Sequence, residues 1–283
     1  MSDKTQVTLP TIAMLGAGSM ARAILAGLLA PHVRVEGAIR VTNRSAENAA
    51  RFDAEPRVTA WATAHDPDAN LTAVHGAAIV LIAVKPAMVP DLLDEISPAL
   101  AEGAIVVSVA AGVTTATMEA HLPGHVSVIR TMPNTPAKIG LGVTGIAAGT
   151  RSTAAELELI CSLFSTVGEV IVLPEEKIDA LGSVSGSGPA YVFYMIEKLT
   201  AVAVEHGFSA EQAALMVQGT FRGAVELLEQ TGEDPRELRR QVTSPKGSTE
   251  RAIAVFDEAD VQDILLRGTQ AAIARSEEMA RGE

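Results

Sequence analysis

Apolar residues in the first two thirds of the chain fall into short unbroken runs, each followed by a segment of helix length. The runs are Ile12–Leu15, Ala38–Thr42, Ala77–Val84, Ala104–Val109 and Val126–Ile129. Unbroken runs are typical of strands buried on both faces, because a half-exposed strand would alternate apolar and polar residues. The helix-length spacing indicates right-handed crossovers. We therefore predict an α/β domain over residues 1–176, built on a doubly wound parallel sheet.

From Lys177 onward the pattern is helical throughout. Helices are predicted over residues 178–185, 189–205, 209–230, 235–242, 248–257 and from 260 to the C-terminus, with Ser248 and Asp260 as the N-caps of the last two. The segment Val192–Val204 is apolar around most of its circumference, which requires burial on nearly all sides. We therefore predict that residues 177–283 form an all-α homodimerisation domain. The alternative is that these helices pack on the first domain.

Composition and charge argue against several kinds of binding partner. The formal net charge of −12 disfavours binding to a nucleic-acid backbone. The single cysteine cannot form an internal disulfide, Met1–Pro10 lacks the layout of a signal peptide, and no apolar run is long enough to span a bilayer. We expect a cytoplasmic protein without membrane partners. The histidines are scattered without metal-ligand spacing, so no metal is predicted.

A glycine-rich turn follows the first predicted strand. Gly16–Ala21 matches G-x-G-x-x-A between a strand and a helix. Gly16 permits the tight turn, Gly18 allows a pyrophosphate to approach the backbone, and Ala21 allows close contact between helix and strand. The motif predicts a Rossmann-type dinucleotide site; the alternative is a glycine turn needed only for packing.

The end of the second predicted strand indicates which dinucleotide binds. An NAD-binding protein commonly has an acidic residue there to bond the ribose 2′-hydroxyl. Here the chain has Asn43, Arg44 and Ser45. Arg44 can pair with a 2′-phosphate and no carboxylate repels it, which favours NADPH over NADH. The alternative is a solvated surface arginine.

Two further segments carry polar groups that could bind an anion. Lys85 ends a predicted buried strand and is equally typical of a solvated strand end. In the segment before the fifth predicted helix, the N–H groups of Gly247, Ser248 and Thr249 could bind a carboxylate, and the hydroxyls of Ser244 and Thr249 could orient or protonate a polar atom beside it. An ordinary helix start explains the same spacing.

Taken in order, these segments resemble pyrroline-5-carboxylate reductase. The resemblance extends over residues 12–279 and rests on Ile12–Met20, Ala83–Pro86, Val107–Thr114, Arg130–Pro136, Ser185–Tyr191 and Leu238–Thr249. It implies a Rossmann domain and an all-helical dimerisation domain, with dimers assembled into a larger ring such as a decamer. It also implies reduction of L-1-pyrroline-5-carboxylate to L-proline, the last step of proline biosynthesis, by NADPH, with NADH as an alternative.

The resemblance assigns roles to individual residues. The cofactor site would comprise Gly16, Ala17, Gly18, Ser19 and Met20 along the pyrophosphate, Asn43, Arg44 and Ser45 around the ribose, and Asn70, Ala83, Val84, Lys85, Pro86 and Ala111 toward the nicotinamide. The substrate site would comprise Ser244, Gly247, Ser248 and Thr249, with Glu175 nearby. Thr249 would be the catalytic residue, donating a hydrogen bond to the imine nitrogen.

The chain departs from the family pattern in the substrate segment and in one loop. Lys246 stands where the family has a glycine, Ser248 stands where threonine or alanine is usual, and the loop around Leu141 lacks an acidic residue that many relatives carry. Lys246 could attract a carboxylate, or crowd the turn if the backbone there needs a positive φ. Two alternative functions stay open: a non-catalytic NADP-binding sensor, and a 3-hydroxyacid dehydrogenase, whose catalytic lysine would fall at Val192.

Overall fold

The computed structural model describes residues 6–280, which divide into two compact units. The first unit comprises the chain up to Ser187 and again from Ala272, and the second is Gly188–Ala271. The predicted boundary between residues 176 and 177 lies eleven residues before the division at Ser187 and stays a prediction.

A mostly parallel sheet forms the centre of the first unit. The described strands are β1 Val7–Leu9, β2 Ile12–Leu15, β3 Val33–Val35, β4 Ile39–Asn43, β5 Val58–Ala62, β6 Ile79–Ile82, β7 Ile105–Ser108, β8 Ser127–Met132, β9 Gly142–Ala148 and β10 Gly168–Val172. The main sheet has the order β10-β9-β8-β7-β6-β2-β4-β5, and β1 pairs with β3 separately. The predicted α/β fold with a doubly wound parallel sheet is confirmed, and β9 departs from the parallel pattern by running antiparallel to β8.

The central strand β2 shows why its sequence has no polar alternation. Ile12 and Met14 belong to the apolar core on one face of the sheet, whereas Ala13 and Leu15 belong to the core on the other face. All four side chains are buried. Because helices cover both faces, neither set of alternating positions can be polar.

Helices of the first unit cover the sheet on both sides. They are α1 Ser19–Leu28, α2 Ala46–Ala50, α3 Ala69–Val74, α4 Val89–Ile96, α5 Thr115–Ala120, α6 Ala154–Phe164 and α7 Ile178–Leu181, the last continued by a π-helical turn Gly182–Gly186. In α1, Ala21, Ile24, Leu25 and Leu28 are buried, which is the spacing of a single helix face.

The second unit is helical, as predicted. It contains α8 Gly188–Glu205, α9 Ala210–Thr231, α10 Pro235–Gln241, α11 Ser248–Glu258 and most of α12 Val261–Ala280. Ser209 caps α9 in a capping box, and Asp260 accepts a hydrogen bond from the Asp263 N–H at the start of α12. The prediction that Ser248 caps α11 is wrong: Gly247 is the N-cap and Ser248 is the first helical residue.

The helices of the second unit leave large apolar side chains uncovered in a single chain. Phe193, Tyr194 and Met195 on α8 are more than half exposed, as are Leu265 and Leu266 on α12. Exposed apolar surface of this extent marks an interaction surface. Within residues 6–280, no helix combines the length and apolarity needed to cross a membrane.

Candidate active site

A cleft of about 390 Å³ opens where the parallel strands β2, β4 and β6 end. After β2 the chain adds β4 and β5 on one side of that strand and then β6 on the other side. The strand order therefore reverses at β2, and doubly wound sheets bind ligands at such a topological switch point. The cleft brings together five of the predicted cofactor residues: Gly16, Asn43, Arg44, Asn70 and Val84. It is also lined by residues that were not predicted as site residues, namely Leu15, Thr42, Thr63, Pro67, Met88, Asp91, Leu92 and Glu95.

The glycine turn has the geometry that its sequence predicts. Gly16 has a φ of 88°, and a Cβ on it would lie 2.8 Å from the carbonyl oxygen of Ala83. Gly18 is the N-cap of α1 without a side-chain cap, and a Cβ there would meet no atom within 4 Å. The first glycine is therefore needed by the fold, whereas the second keeps open space beside the N-terminus of a helix, where an anion is stabilised.

Asn43 links the end of β4 to this turn. Its side-chain Oδ1 accepts a hydrogen bond from the Ala17 N–H at 3.3 Å. Its Nδ2 is buried without a hydrogen-bond partner in the described part of the chain, although the residue lines the cleft. The amide of Asn43 is therefore held through its oxygen, which fixes the glycine turn against the end of β4.

Arg44 has an environment suited to an anionic ligand. It is exposed at the rim of the cleft, and in residues 6–280 its guanidinium makes no hydrogen bond or ion pair. The next residue, Ser45, is the N-cap of α2, and its Oγ accepts a hydrogen bond from Asn48. A free guanidinium beside an N-cap fits a 2′-phosphate on the ribose of a dinucleotide.

Asn70 lines the same cleft from α3. It is buried on α3, and its Nδ2 donates to Glu95 Oε1 on α4 at 3.0 Å. The sequence indicated Asn70 only through the family resemblance and did not indicate Glu95. Glu95 was missed because, in the sequence, a glutamate at an exposed helix position looks like any other solvated surface residue.

The remaining predicted cofactor residues lie outside the lining of this cleft. They are Ala17, Gly18, Ser19, Met20, Ser45, Ala83, Lys85, Pro86 and Ala111. Ser19 lines a shallow pocket with Arg22 and Lys138. Ala111 lines a separate cavity of about 220 Å³ in the first unit, together with Met132 and the π-helical turn. Such turns are frequent at functional sites.

Glu175 is engaged by the protein itself. Its carboxylate accepts hydrogen bonds from the Thr115 N–H at 2.6 Å and from the Thr115 hydroxyl at 2.5 Å, at the start of α5. It also lies 3.5 Å from a guanidinium nitrogen of Arg130, which is almost fully buried and pairs with Asp179 at 2.7 Å. These contacts make Glu175 one of two partly exposed carboxylates that neutralise the buried Arg130, and its contact with substrate stays a prediction.

The predicted substrate segment forms the turn before α11 in the second unit. The Gly247 N–H donates to the Ser244 carbonyl at 2.9 Å and is therefore not free to bind a ligand, contrary to the expectation for Gly247. Ser248 and Thr249 are in the first turn of α11, where backbone N–H groups have no intrahelical partner. The Thr249 hydroxyl makes no hydrogen bond within the described residues.

Lys246 has a backbone conformation that favours glycine. Its φ is 63°, in the left-handed region, and its N–H donates to Glu250 Oε2 at 2.8 Å. The turn therefore needs a positive φ at the position where the family has a glycine. An L-residue other than glycine pays roughly 1–2 kcal/mol there.

Within residues 6–280, no group of three or more His, Cys, Asp or Glu side chains could hold a metal ion.

Two parts of the chain match models of known protein families. Residues 11–112 match a model described as NADP oxidoreductase, coenzyme F420-dependent. Residues 175–279 match one described as pyrroline-5-carboxylate reductase dimerisation. The fold, the cleft and these matches define the class as an NADP-dependent oxidoreductase.

Relatives of known function match over nearly the whole chain. The pyrroline-5-carboxylate reductase of Corynebacterium melassecola is 35% identical over 274 residues, covering 96% of this chain and 99% of its own. The enzyme of Pseudomonas aeruginosa is 36% identical, covering 96% and 97%. The chain therefore belongs to the pyrroline-5-carboxylate reductase family.

Solved structures of the family share the fold. The pyrroline-5-carboxylate reductase of Coxiella burnetii has a TM-score of 0.85 at 33% identity, covering 95% of this chain and 97% of its own. The pyrroline carboxylate reductase of Plasmodium falciparum, solved with NADP bound, has a TM-score of 0.82 at 21% identity, covering 95% and 98%. At that identity the second structure supports the fold alone.

Proposed function

We propose that this protein reduces L-1-pyrroline-5-carboxylate to L-proline with NADPH as the reductant. The observation that carries the proposal is its 35% identity to a pyrroline-5-carboxylate reductase over 96% of the chain. The cleft at the end of β2, with a free arginine at its rim, is consistent with the cofactor.

The cofactor residues divide by the part of the dinucleotide they would hold. The open space beside Gly18 at the start of α1 would accept the pyrophosphate, since the first N–H groups of a helix bind anions. Arg44 would pair with the 2′-phosphate, and Asn43 would support the ribose site by holding the glycine turn through its bond from the Ala17 N–H. NADPH, when bound, supplies the hydride that reduces the C=N bond.

The substrate residues would bind an anion and polarise an imine. The free N–H groups of Ser248 and Thr249 suit the carboxylate, and the Lys246 ammonium adds a positive charge two residues earlier. The Thr249 hydroxyl would donate a hydrogen bond to the imine nitrogen, which makes the imine carbon a better hydride acceptor. No strong general base is required for this role.

The proposal is tested by following NADPH absorbance with L-1-pyrroline-5-carboxylate present. We expect turnover that depends on both compounds and produces proline. NADPH binding without turnover would support the sensor alternative. In a separate assay with NADP+ as the oxidant, conversion of a 3-hydroxyacid to the 3-oxoacid with formation of NADPH would support the dehydrogenase alternative, whose lysine position holds Val192 here.

Thr249 is tested by two matched variants. Thr249→Ala removes the hydroxyl, and we expect kcat to fall by roughly 10²-fold, the lower end for lost proton-transfer assistance. Thr249→Ser keeps the hydroxyl and should retain most of the rate. An alanine variant with unchanged kcat would remove Thr249 from the mechanism.

The oligomeric state and the cellular compartment are the last parts of the proposal. The exposed apolar side chains of α8 and α12 and the match to a dimerisation model support a homodimer. Assembly of dimers into a ring such as a decamer, and a cytoplasmic location, stay predictions. Sedimentation velocity on the purified protein measures the first, and fractionation of cells measures the second.

A further inference from the structure

The amide of Asn70 is held in one orientation by its neighbour. Asn70 is nine-tenths buried on α3, and its Nδ2 lies 3.0 Å from Glu95 Oε1 on α4. Both residues line the cleft that contains Arg44. Because a carboxylate can only accept, the amide nitrogen and not the amide oxygen must face Glu95.

The other end of this amide is consequently fixed as an acceptor. Asn70 Oδ1 accepts no hydrogen bond within residues 6–280. This oxygen is nevertheless accessible to solvent, unlike the buried Nδ2 of Asn43. An accessible, unpaired oxygen on a buried residue that lines the cleft is available to a ligand. Glu95 thus sets the polarity of the cleft wall without needing to touch a ligand itself.

We propose that Glu95 is a positioning residue for the dinucleotide: it orients Asn70 so that Oδ1 accepts a hydrogen bond from a hydroxyl or amine of the adenosine half. This inference rests on the proposed cofactor and goes beyond it by naming the residue that sets the polarity of Asn70. The adenosine half is assigned because Asn70 shares one cleft with Arg44 and Asn43 at the end of β4. The family resemblance would instead place Asn70 toward the nicotinamide.

A simple charge effect of Glu95 leads to the opposite expectation. If its carboxylate acted only by repelling the phosphates of the cofactor, removing the charge would tighten binding, and NADPH would gain more than NADH because it carries one more phosphate. If Glu95 acts by orienting Asn70, removing the carboxylate weakens both cofactors equally. The sign of the change therefore separates the two mechanisms.

Two substitutions at this exposed helix position test the proposal. Glutamine can accept or donate, so Glu95→Gln lets Asn70 adopt both orientations, and the Kd should rise about twofold, as expected when half of the molecules are competent. Lysine can only donate, so Glu95→Lys turns Oδ1 away from the ligand. The loss of one hydrogen bond should raise the Kd for NADPH and NADH alike by roughly tenfold, despite the added positive charge.

Binding is measured by quenching of protein fluorescence or by calorimetry, with NADPH, NADH and 5′-AMP as probes. The control is Glu102→Lys, the same charge reversal at an exposed carboxylate outside the cleft, which should leave all three Kd values unchanged. Thermal unfolding of each variant shows whether it is folded. Because binding is measured without turnover, failure of the proposed reaction and failure of this inference are distinguishable.

Each outcome decides the proposal. Equal losses for NADPH, NADH and 5′-AMP, with kcat at saturating NADPH unchanged, support it. Tighter NADPH binding in Glu95→Lys, or unchanged Kd values, overturns it in favour of a charge effect or no role. Weaker binding of the dinucleotides with unchanged 5′-AMP binding overturns the assignment to the adenosine half. The proposal also requires that the effect of Glu95→Lys act through Asn70. If Glu95→Lys raises the Kd by the same factor in the Asn70→Leu variant as in the wild type, the proposal is contradicted.

Discussion

Replacing Gly16 by alanine should destabilise the fold, whereas replacing Gly18 should chiefly weaken cofactor binding. At Gly16 a Cβ would lie 2.8 Å from the Ala83 carbonyl oxygen and 3.1 Å from Val84 Cγ1, and the φ of 88° is unfavourable for an L-residue. At Gly18 the backbone is extended with a φ of −68°, and a Cβ meets no atom within 4 Å. The same added methyl group therefore tests two separate requirements of one motif.

The cost at Gly16 has two sources. The left-handed backbone costs an alanine about 1–2 kcal/mol. Crowding against the backbone of a buried strand end adds about 1–3 kcal/mol, because the carbonyl of Ala83 cannot move without disturbing its strand. We expect Gly16→Ala to lower the free energy of unfolding by about 2–5 kcal/mol. At Gly18 the substitution costs about 1 kcal/mol or less, because alanine is a poorer N-cap residue than glycine.

Urea unfolding followed by circular dichroism measures the stabilities, and NADPH titration measures the affinities. Gly18→Ala should unfold close to the wild-type midpoint and bind NADPH at least tenfold more weakly, because its methyl group occupies the space left for the pyrophosphate. A Gly18→Ala variant that binds NADPH normally would refute the pyrophosphate assignment. A Gly16→Ala variant of wild-type stability would refute the steric argument.

Three further outcomes are expected. Arg44→Ala should raise the KM for NADPH roughly tenfold and the KM for NADH little, and equal effects in steady-state kinetics would contradict the 2′-phosphate role. Lys246→Gly should stabilise the protein by roughly 0.5–1 kcal/mol in urea unfolding, because relief of the left-handed strain exceeds the added freedom of the unfolded chain; a loss of stability would contradict this. The pKa of Glu156 is subject to burial, which raises it, but hydrogen bonds from Thr153 and Ser127 lower it below its ordinary value. Its contribution is therefore present above the unfolded pKa and lost as the pH falls through the folded pKa. Glu156→Gln should cost about 1 kcal/mol at pH 7, and the difference from wild type should vanish in acid unfolding curves; a constant difference would disprove the assignment.

The sequence predicts the centre of the sheet better than its edges. Strands β2, β6 and β7 are buried on both faces, so their sequences are unbroken apolar runs. Strand β9 has the sequence GVTGIAA, and its first glycine is required by close backbone neighbours: a Cβ on Gly142 would lie 2.9 Å from the Ala137 Cα and 2.9 Å from the Val167 carbonyl oxygen. Such a strand has neither an unbroken apolar run nor a regular alternation, and its antiparallel direction depends on partners distant in the chain.

The site is predictable where one local segment determines it. The Gly16–Ala21 turn and Arg44 follow directly from strand ends and motif spacing. Glu95 could not be predicted, because its partner is on another helix and nothing in its own segment marks it. The expectation that the Gly247 N–H is free was wrong for a similar reason, since this N–H donates to the Ser244 carbonyl in a turn whose shape the sequence did not specify.

Helix α12 divides between the two units, since the chain from Ala272 returns to the first unit and Ser276 donates a hydrogen bond to Asp179 there at 2.8 Å. The helical unit is therefore an insertion between two pieces of the nucleotide-binding unit. A cut at the Ser187–Gly188 junction alone would leave the two units covalently joined through α12. Residues 6–187 by themselves lack a native segment of the first unit and the hydrogen bond that Ser276 donates to Asp179.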